Sequence, residues 1–161
     1  MKTKLIITTG CLMIATFTFG QNKQPSKAEI KAMKVENTVQ SGRYEIYVNQ
    51  VHPMGGAVRH LTSSYSVRVS GDSAYVYLPY FGRAYSAPYG GEGGINVTNV
   101  MDDYKLNKKK KNYSIDFKAK GANDVYRFSI DMSTNGSASI RVTCNNRQAI
   151  SYLGDLIITE D

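Results

Sequence analysis

The amino-acid sequence predicts a mainly β protein, in which an antiparallel meander of seven to eight strands curls into a barrel of lipocalin-like shape behind one N-terminal helix. Beyond Gly42, apolar and polar residues alternate with a period of two, which buries one face of each strand and wets the other. Short turn sequences separate these runs, as at Gly71-Asp72 and Thr134-Asn135-Gly136. A two-layer sandwich with the helix at one end is the alternative, because either shape hides the apolar face.

The first twenty residues have the layout of a secretory signal peptide. A positively charged start leads into an apolar run from Leu5 to Phe19, and small residues precede a cleavage site after Gly20. Most of the apolar run follows Cys11, which favours simple cleavage over a lipoprotein signal. We therefore expect residues 1–20 to be removed and the mature chain to be exported, either to the periplasm or to the cell envelope.

Residues 21–42 are predicted to form a polar start and one amphipathic helix, from Ser26 to Gln40, that ends at Gly42. Residues 43–161 are predicted to form a single antiparallel β domain. A break at Gly154 indicates a bulge or a bend in the last strand. The core-facing positions of the alternating runs are Tyr44, Ile46, Val48, Tyr65, Val67, Val69, Ala74, Val76, Leu78, Tyr113, Ile115, Phe117, Ala119, Tyr126, Phe128, Ile130, Met132, Ala138, Ile140, Val142, Cys144, Ile150, Tyr152, Leu156 and Ile158.

Removal of Lys2 and Lys4 with the signal peptide lowers the net charge from +7 to +5. This modest positive charge suits an anionic envelope surface at least as well as nucleic acid. Four consecutive lysines, Lys108, Lys109, Lys110 and Lys111, could give a weak, salt-sensitive contact with such a surface, at about 1 kcal/mol each. The structural alternative is a charged loop that discourages edge pairing. The aromatic-basic motif of an RNA-binding sheet is absent, so we expect no nucleic-acid partner.

The segment from Leu78 to Gly94 holds four aromatic rings among five glycines and two prolines. Such a loop either packs on itself as a lid over one barrel end or presents its rings as a binding platform. Arg83 would then pair with an acidic group of a small apolar or aromatic-stacking ligand. The candidate ligand-binding residues are Tyr80, Phe81, Arg83, Tyr85, Tyr89 and Arg147.

Arg147 has a structural interpretation as well as a functional one. It sits in or beside a turn, where it could donate hydrogen bonds to carbonyl groups left open by the loop at Gly90 to Gly94. It could equally face a carboxylate or phosphate of a ligand.

Two segments carry a resemblance to a known family. The stretch LPYFGRAYSAPYGG from Leu78 and the stretch NRQAISYLG from Asn146 to Gly154 resemble exported Bacteroidota proteins of the domain of unknown function numbered 4251. The segment from His52 to Val67, with HP before a glycine-rich stretch and LTSSYSV, is also similar. The resemblance spans nearly the whole mature chain and implies a secreted β-rich domain, without implying catalytic residues.

The sequence offers no catalytic or metal motif. His52 and His60 lie eight residues apart without further ligands nearby, whereas metal sites usually need three or four. Asp102-Asp103 is interpreted as a solvated link or cap, and Cys144 as a small buried hydrophobe. We expect a non-enzymatic domain without a cofactor or metal, which binds a small molecule or an envelope component. The alternative is a structural or interaction protein of the envelope in which the aromatic loop only seals the barrel.

Overall fold

The protein is described by a computed structural model that covers residues 24–85, 93–122 and 124–158. One helix, α1 (Lys27–Gln40), precedes eight strands: β1 (Arg43–Pro53), β2 (Arg59–Ser70), β3 (Ser73–Pro79), β4 (Gly94–Lys108), β5 (Asn112–Lys120), β6 (Val125–Ser133), β7 (Ser137–Thr143) and β8 (Ile150–Leu156). The predicted signal peptide lies outside the described residues.

Each strand pairs antiparallel with the next one along the chain, and β1 also pairs with β8. The register of this closing pair runs from Ile46 opposite Leu156 to Pro53 opposite Ile150. The predicted meander and barrel are therefore confirmed, and the two-layer sandwich is wrong. Closure satisfies the backbone groups of β1 and β8, which a flat meander would leave as open edges.

The barrel interior is filled with apolar side chains, because an eight-stranded barrel is just wide enough for the inward-facing residues to meet. The rings of Phe117 and Phe128 stack across β5 and β6 with their centroids 4.8 Å apart. Buried aliphatic residues from all strands surround them. The fully or almost fully buried aliphatic set includes Ile46, Val48, Val67, Val69, Val76, Leu78, Ile95, Val97, Ile115, Ile130, Ile140, Val142 and Ile150.

Helix α1 begins one residue later than predicted because Ser26 is its N-cap. The Ser26 side chain accepts a hydrogen bond of 3.3 Å from the Glu29 backbone, and the Glu29 carboxylate accepts one of 2.7 Å from the Ser26 backbone. These reciprocal bonds form a capping box. The helix ends before Gly42, whose φ of +66° is readily adopted only without a side chain.

The helix lies across the end of the barrel where β1 begins, which we call the helix end. Val35 and Val39 are completely buried there. Val35 packs near Gly136 in the β6–β7 turn, where a Cβ atom would lie 3.7 Å from the Val35 side chain. The opposite end, where β3 ends at Pro79 and β8 begins at Ile150, carries the aromatic segment, and we call it the loop end.

Asp102 and Asp103 are solvated, as the sequence interpretation has it, but they lie within β4 and not in a link or cap. The pairing partner of Asp102 is Lys118, so that Asp103 and Tyr104 together oppose Phe117 in a bulge. Asp103 has a φ of +55°, which a short polar side chain tolerates better than most. The alternation is lost at this bulge, which explains why the pattern did not reveal a fifteen-residue strand.

Gly154 lies in β8, opposite a bulge in the neighbouring strand. The register between β1 and β8 shifts between Val48 and Gln50, where Asn49 is the extra residue. A Cβ atom on Gly154 would lie only 2.1 Å from the Tyr47 carbonyl oxygen. The predicted bulge is thus present, but it belongs to β1, and Gly154 allows the two backbones to approach.

Alkaline pH should destabilise the barrel, because its interior holds tyrosines that resist ionisation. Burial raises the pKa of Tyr44 and of Tyr152 above the usual value of 10.0. Above pH 10 the unfolded chain loses these protons and the folded chain keeps them, so stability falls as the pH rises. We expect the free energy of unfolding to drop by about 1.4 kcal/mol per pH unit for each of these two residues. Urea melts between pH 9 and 11.5 measure this slope.

The double variant Tyr44→Phe with Tyr152→Phe separates these groups from every other alkaline titration. Its slope above pH 10 should be smaller than that of the parent by about 2.7 kcal/mol per pH unit. An unchanged slope would show that both hydroxyl groups titrate as freely in the barrel as in the unfolded chain.

Candidate functional site

The aromatic segment after β3 is fixed to the turn between β7 and β8. The Tyr85 backbone N–H donates to the Asn146 carbonyl at 2.8 Å, and the Gln148 N–H donates to the Arg83 carbonyl at 2.9 Å. Between these bonds, Ala84 and Arg147 form an isolated antiparallel bridge. The described part of the loop is therefore held as a short ribbon across the loop end.

The side chain of Tyr80 holds this ribbon in place. Its hydroxyl group lies 2.8 Å from the Arg83 carbonyl oxygen and 2.9 Å from the Gln148 carbonyl oxygen. Burial raises the pKa of Tyr80, which keeps the hydroxyl protonated and able to donate. Gly82 makes room for the ring, because a Cβ atom there would lie 2.4 Å from the Tyr80 hydroxyl oxygen.

Arg147 makes the structural contact that its position predicts. Its Nη1 atom donates to the Gly94 carbonyl at 3.0 Å, and its guanidinium carbon lies 5.1 Å from the centroid of the Tyr80 ring. One side chain thus links the β7–β8 turn to the first residue of β4 and packs over the anchoring ring. We call Tyr80, Arg147 and the backbone bonds of residues 83–85 the loop brace.

Asp124 and Asn146 support the brace, and sequence reasoning missed Asp124. The Asp124 carboxylate accepts hydrogen bonds of 2.8 Å from the backbone N–H groups of Asn146 and Val125. Burial alone would raise the pKa of Asp124, but these bonds outweigh it and the pKa is lowered. An aspartate directly before a strand, after the Gly121 turn, is the only signal in the sequence for this role.

Cys144 lies beside Asp124 and is half-buried, not fully buried as the alternation predicted. Burial raises the pKa of its thiol, and the Asp124 carboxylate raises it further. A thiol in such surroundings stays protonated and is a poor nucleophile.

The other predicted site residues are more exposed. Phe81 is 42% exposed, and the Arg59 guanidinium carbon lies 4.9 Å from the centroid of its ring. Tyr85 is 73% exposed, and Arg83 is also exposed. Tyr89 lies outside the described residues.

A cleft of about 490 Å³ opens beside the brace. Its most prominent feature is a stacked pair, Tyr65 and Tyr77, with ring centroids 5.3 Å apart and an angle of 28° between the rings. Tyr77 points outward, as the strand pattern predicted, and is 55% exposed. Tyr65, predicted on the core face, is only half-buried at the rim. The cleft is lined by Tyr65, Tyr77, Leu78, Pro79, Tyr80, Phe81, Gly93, Gly94 and Asn96.

Of the six predicted site residues, Tyr80 and Phe81 therefore line the cleft. Arg147 does not line it, but its guanidinium group packs over the Tyr80 ring. Tyr65, Tyr77 and Asn96 were missed because they come from three different strands. Only the pairing of β2 with β3 and of β3 with β4 brings them to one rim.

His52 and His60 lie in neighbouring strands, β1 and β2, and neither lines the cleft. Among residues 24–85, 93–122 and 124–158, no group of three or more histidine, cysteine, aspartate or glutamate side chains is placed to hold a metal ion. In the same ranges, no helix is both long and apolar enough to cross a membrane.

The fold and the sequence together place the chain in a family of β-barrel domains. The family model described as "Domain of unknown function (DUF4251)" matches residues 26–156. The chain therefore belongs to the DUF4251 family. The segments that begin at Leu78 and Asn146 indicated this membership.

One solved structure shows how far the similarity extends. It is the crystal structure of a DUF4251 family protein from Bacteroides eggerthii DSM 20697, with a TM-score of 0.64 and 20% sequence identity. The similarity covers 80% of this chain and 88% of that one, and at this identity it shows a common fold. The search of curated proteins finds no match to this chain.

Proposed function

We propose that this chain is an exported, non-enzymatic binding domain whose loop-end cleft takes a small ligand with a flat or apolar face. The observation that carries the proposal is the stacked pair of Tyr65 and Tyr77 beside Phe81 at an open cleft. Exposed rings lose contact with water when a sugar face or an aromatic ring stacks on them, and such contacts add about 0.5–1.5 kcal/mol beyond burial.

The residues at the cleft have different roles. Phe81 contacts the ligand together with Tyr65 and Tyr77, and Arg59, which lies over the Phe81 ring, offers a positive charge to an acidic group. Tyr80 forms one wall of the cleft but is held by carbonyl groups, and Arg147 is a positioning residue. A pre-formed wall reduces the entropy cost of binding.

Loss of ligand binding in Tyr77→Ala, but not in Tyr75→Ala, would support this function. Both residues lie on the outer face of β3, but only Tyr77 lines the cleft, whereas Tyr75 lies under the guanidinium group of Arg68 at 4.6 Å. A thermal-shift panel of disaccharides, aromatic carboxylates and fatty acids first identifies a ligand of the parent protein. We expect Tyr77→Ala to weaken its binding about tenfold, as measured by calorimetry, because one stacking ring is lost.

Equal weakening in the two variants would place the site elsewhere on the protein. A panel in which no compound raises the melting temperature would count against binding and favour the second candidate function.

That second candidate is a structural or interaction protein of the cell envelope, in which the aromatic segment only seals the barrel. The loop brace favours it, because Tyr80 and Arg147 direct their polar groups to backbone carbonyls. Under this alternative, Arg147→Ala lowers the melting temperature and no ligand restores it.

We also propose that the chain is exported and contacts the cell envelope. The lysines at positions 108–111 lie at the β4–β5 connection of the helix end. Their charge suits a weak, salt-sensitive contact with an anionic surface. The loop-end cleft lies at the opposite end of the barrel and stays open to solvent in that arrangement.

A further inference from the structure

The lysine run does not stand alone, because the tip of the β4–β5 hairpin is joined to helix α1. Lys108, the last residue of β4, forms an ion pair with Glu36 of the helix. The hairpin tip that follows, residues 109–111, therefore lies beside α1 at the helix end of the barrel. Both segments belong to one continuous surface, which we call the lysine–helix face.

This face is strongly basic. It carries Lys27, Lys31, Lys34, Lys108, Lys109, Lys110 and Lys111. The helix contributes only two carboxylates: Glu29, which accepts from the Ser26 backbone in the capping box, and Glu36, which pairs with Lys108. Lys27, Lys31, Lys34 and residues 109–111 are all exposed. Positive charge thus dominates the lysine–helix face, and most of its lysines are exposed to solvent.

Between the lysines the helix presents an apolar ridge. Val35 and Val39 point into the barrel, and at about 100° per residue Ile30 and Met33 lie on the opposite side of the helix. Ile30 is 41% exposed and Met33 is 50% exposed. Lys27 and Lys34 lie on one flank of this ridge, while the hairpin tip, reached through Glu36, lies on the other.

We propose that the lysine–helix face docks on the surface of an anionic lipid bilayer. The lysines on both flanks meet the acidic headgroups, and Ile30 and Met33 enter the boundary between headgroups and acyl chains. The inference rests on the envelope contact proposed above and extends it, since it assigns the orientation of the barrel and an apolar contribution to binding.

The apolar ridge favours a bilayer over a soluble polyanion. A polyanion would engage the lysines but would gain little from the exposed apolar surface of Ile30 and Met33. A bilayer offers both an anionic plane and a place for hydrocarbon. Coulombic attraction alone is screened over about 8 Å at physiological salt, whereas the apolar contact is not.

Sedimentation with vesicles tests this inference. The probe is the chain from residue 21 onward, mixed with vesicles of phosphatidylcholine alone or with about one third phosphatidylglycerol. We expect binding only to the anionic vesicles. The triple variant Lys109→Glu, Lys110→Glu and Lys111→Glu should lose at least about tenfold in partitioning, as expected for the loss of several headgroup contacts.

The double variant Ile30→Ser with Met33→Ser tests whether these two apolar side chains contribute to membrane binding. It keeps every charge, and we expect it to bind at least about threefold more weakly and to lose the binding that the parent retains at high salt. A matched charge control reverses Lys120, Arg127 and Arg141, which are exposed on the barrel wall toward the loop end. That control should bind anionic vesicles nearly as well as the parent, although it loses the same number of positive charges.

The outcomes separate this inference from the proposed function. Equal losses in the two charge-reversal variants, or unchanged binding of the serine variant, would overturn the docking face; the latter would leave a purely electrostatic envelope contact. No binding to anionic vesicles would overturn both the face and the envelope contact. Ligand binding at the cleft, measured without vesicles, is unaffected by any of these results.

Discussion

Replacing Gly154 with alanine should destabilise the barrel by about 3–5 kcal/mol, a large fraction of the stability of an ordinary domain. The added Cβ atom would lie 2.1 Å from the Tyr47 carbonyl oxygen and 3.0 Å from the Val48 Cα atom. These are backbone atoms, so a side-chain rotation cannot relieve the clash. Strand β1 would have to move away from β8, at the pair that closes the barrel. Urea unfolding followed by circular dichroism measures the loss.

Gly55→Ala is the matched control for this substitution. Gly55 lies in the connection between β1 and β2, and no atom lies within 4 Å of the position where its Cβ would be. We expect its stability to stay within about 0.5 kcal/mol of the parent. If Gly154→Ala were as stable as Gly55→Ala, the close approach of β1 and β8 would be wrong.

Replacing Tyr152 with alanine should cost about 3–5 kcal/mol, because it empties a large volume in the middle of the loop end. The Tyr152 side chain is completely buried, and its hydroxyl group donates a hydrogen bond of 2.7 Å to the Pro79 carbonyl. Pro79 is the last residue of β3 and the start of the aromatic segment. Tyr152 therefore holds the end of β3, which directly precedes Tyr80 of the loop brace.

Tyr152→Phe separates the ring from the hydroxyl group. This variant keeps the packing of the ring but leaves the Pro79 carbonyl without its donor. We expect the free energy of unfolding to fall by about 1–2 kcal/mol. Denaturant melts of both variants give the two values. A loss in Tyr152→Phe as large as in Tyr152→Ala would mean that the hydrogen bond, and not the packing, stabilises this end of the barrel.

The walls of the barrel could be predicted because each depends on local alternation. In β5, β6 and β7, every second side chain from Tyr113 to Val142 is buried within its strand, as the pattern indicates. Strand β4 was missed because most residues of its second half are exposed and the bulge at Asp103 interrupts the alternation. A hydrophobic period is visible only where one face of a strand is buried without interruption.

The candidate site was predicted in part for a similar reason. Tyr80, Phe81 and Arg83 stand together in the sequence, so composition alone drew attention to them. Of the two interpretations of Arg147, the structure shows the contact with a carbonyl group near Gly94. The stacking of Tyr65 on Tyr77 could not be inferred, because it depends on the register in which β2 pairs with β3.

The sequence by itself determined that this chain forms an antiparallel meander with a helix in front and an aromatic segment after β3, since each run of residues alternates between a buried and an exposed face. The choice between a barrel and a sandwich was made by the pairing of β1 with β8. Only the tertiary structure decided which rings meet at the cleft, that Tyr80 and Arg147 brace the loop, and that Lys108 joins the hairpin tip to Glu36 of the helix. These contacts link residues far apart in the chain, and their partners are chosen by strand register and barrel closure, which no local pattern specifies.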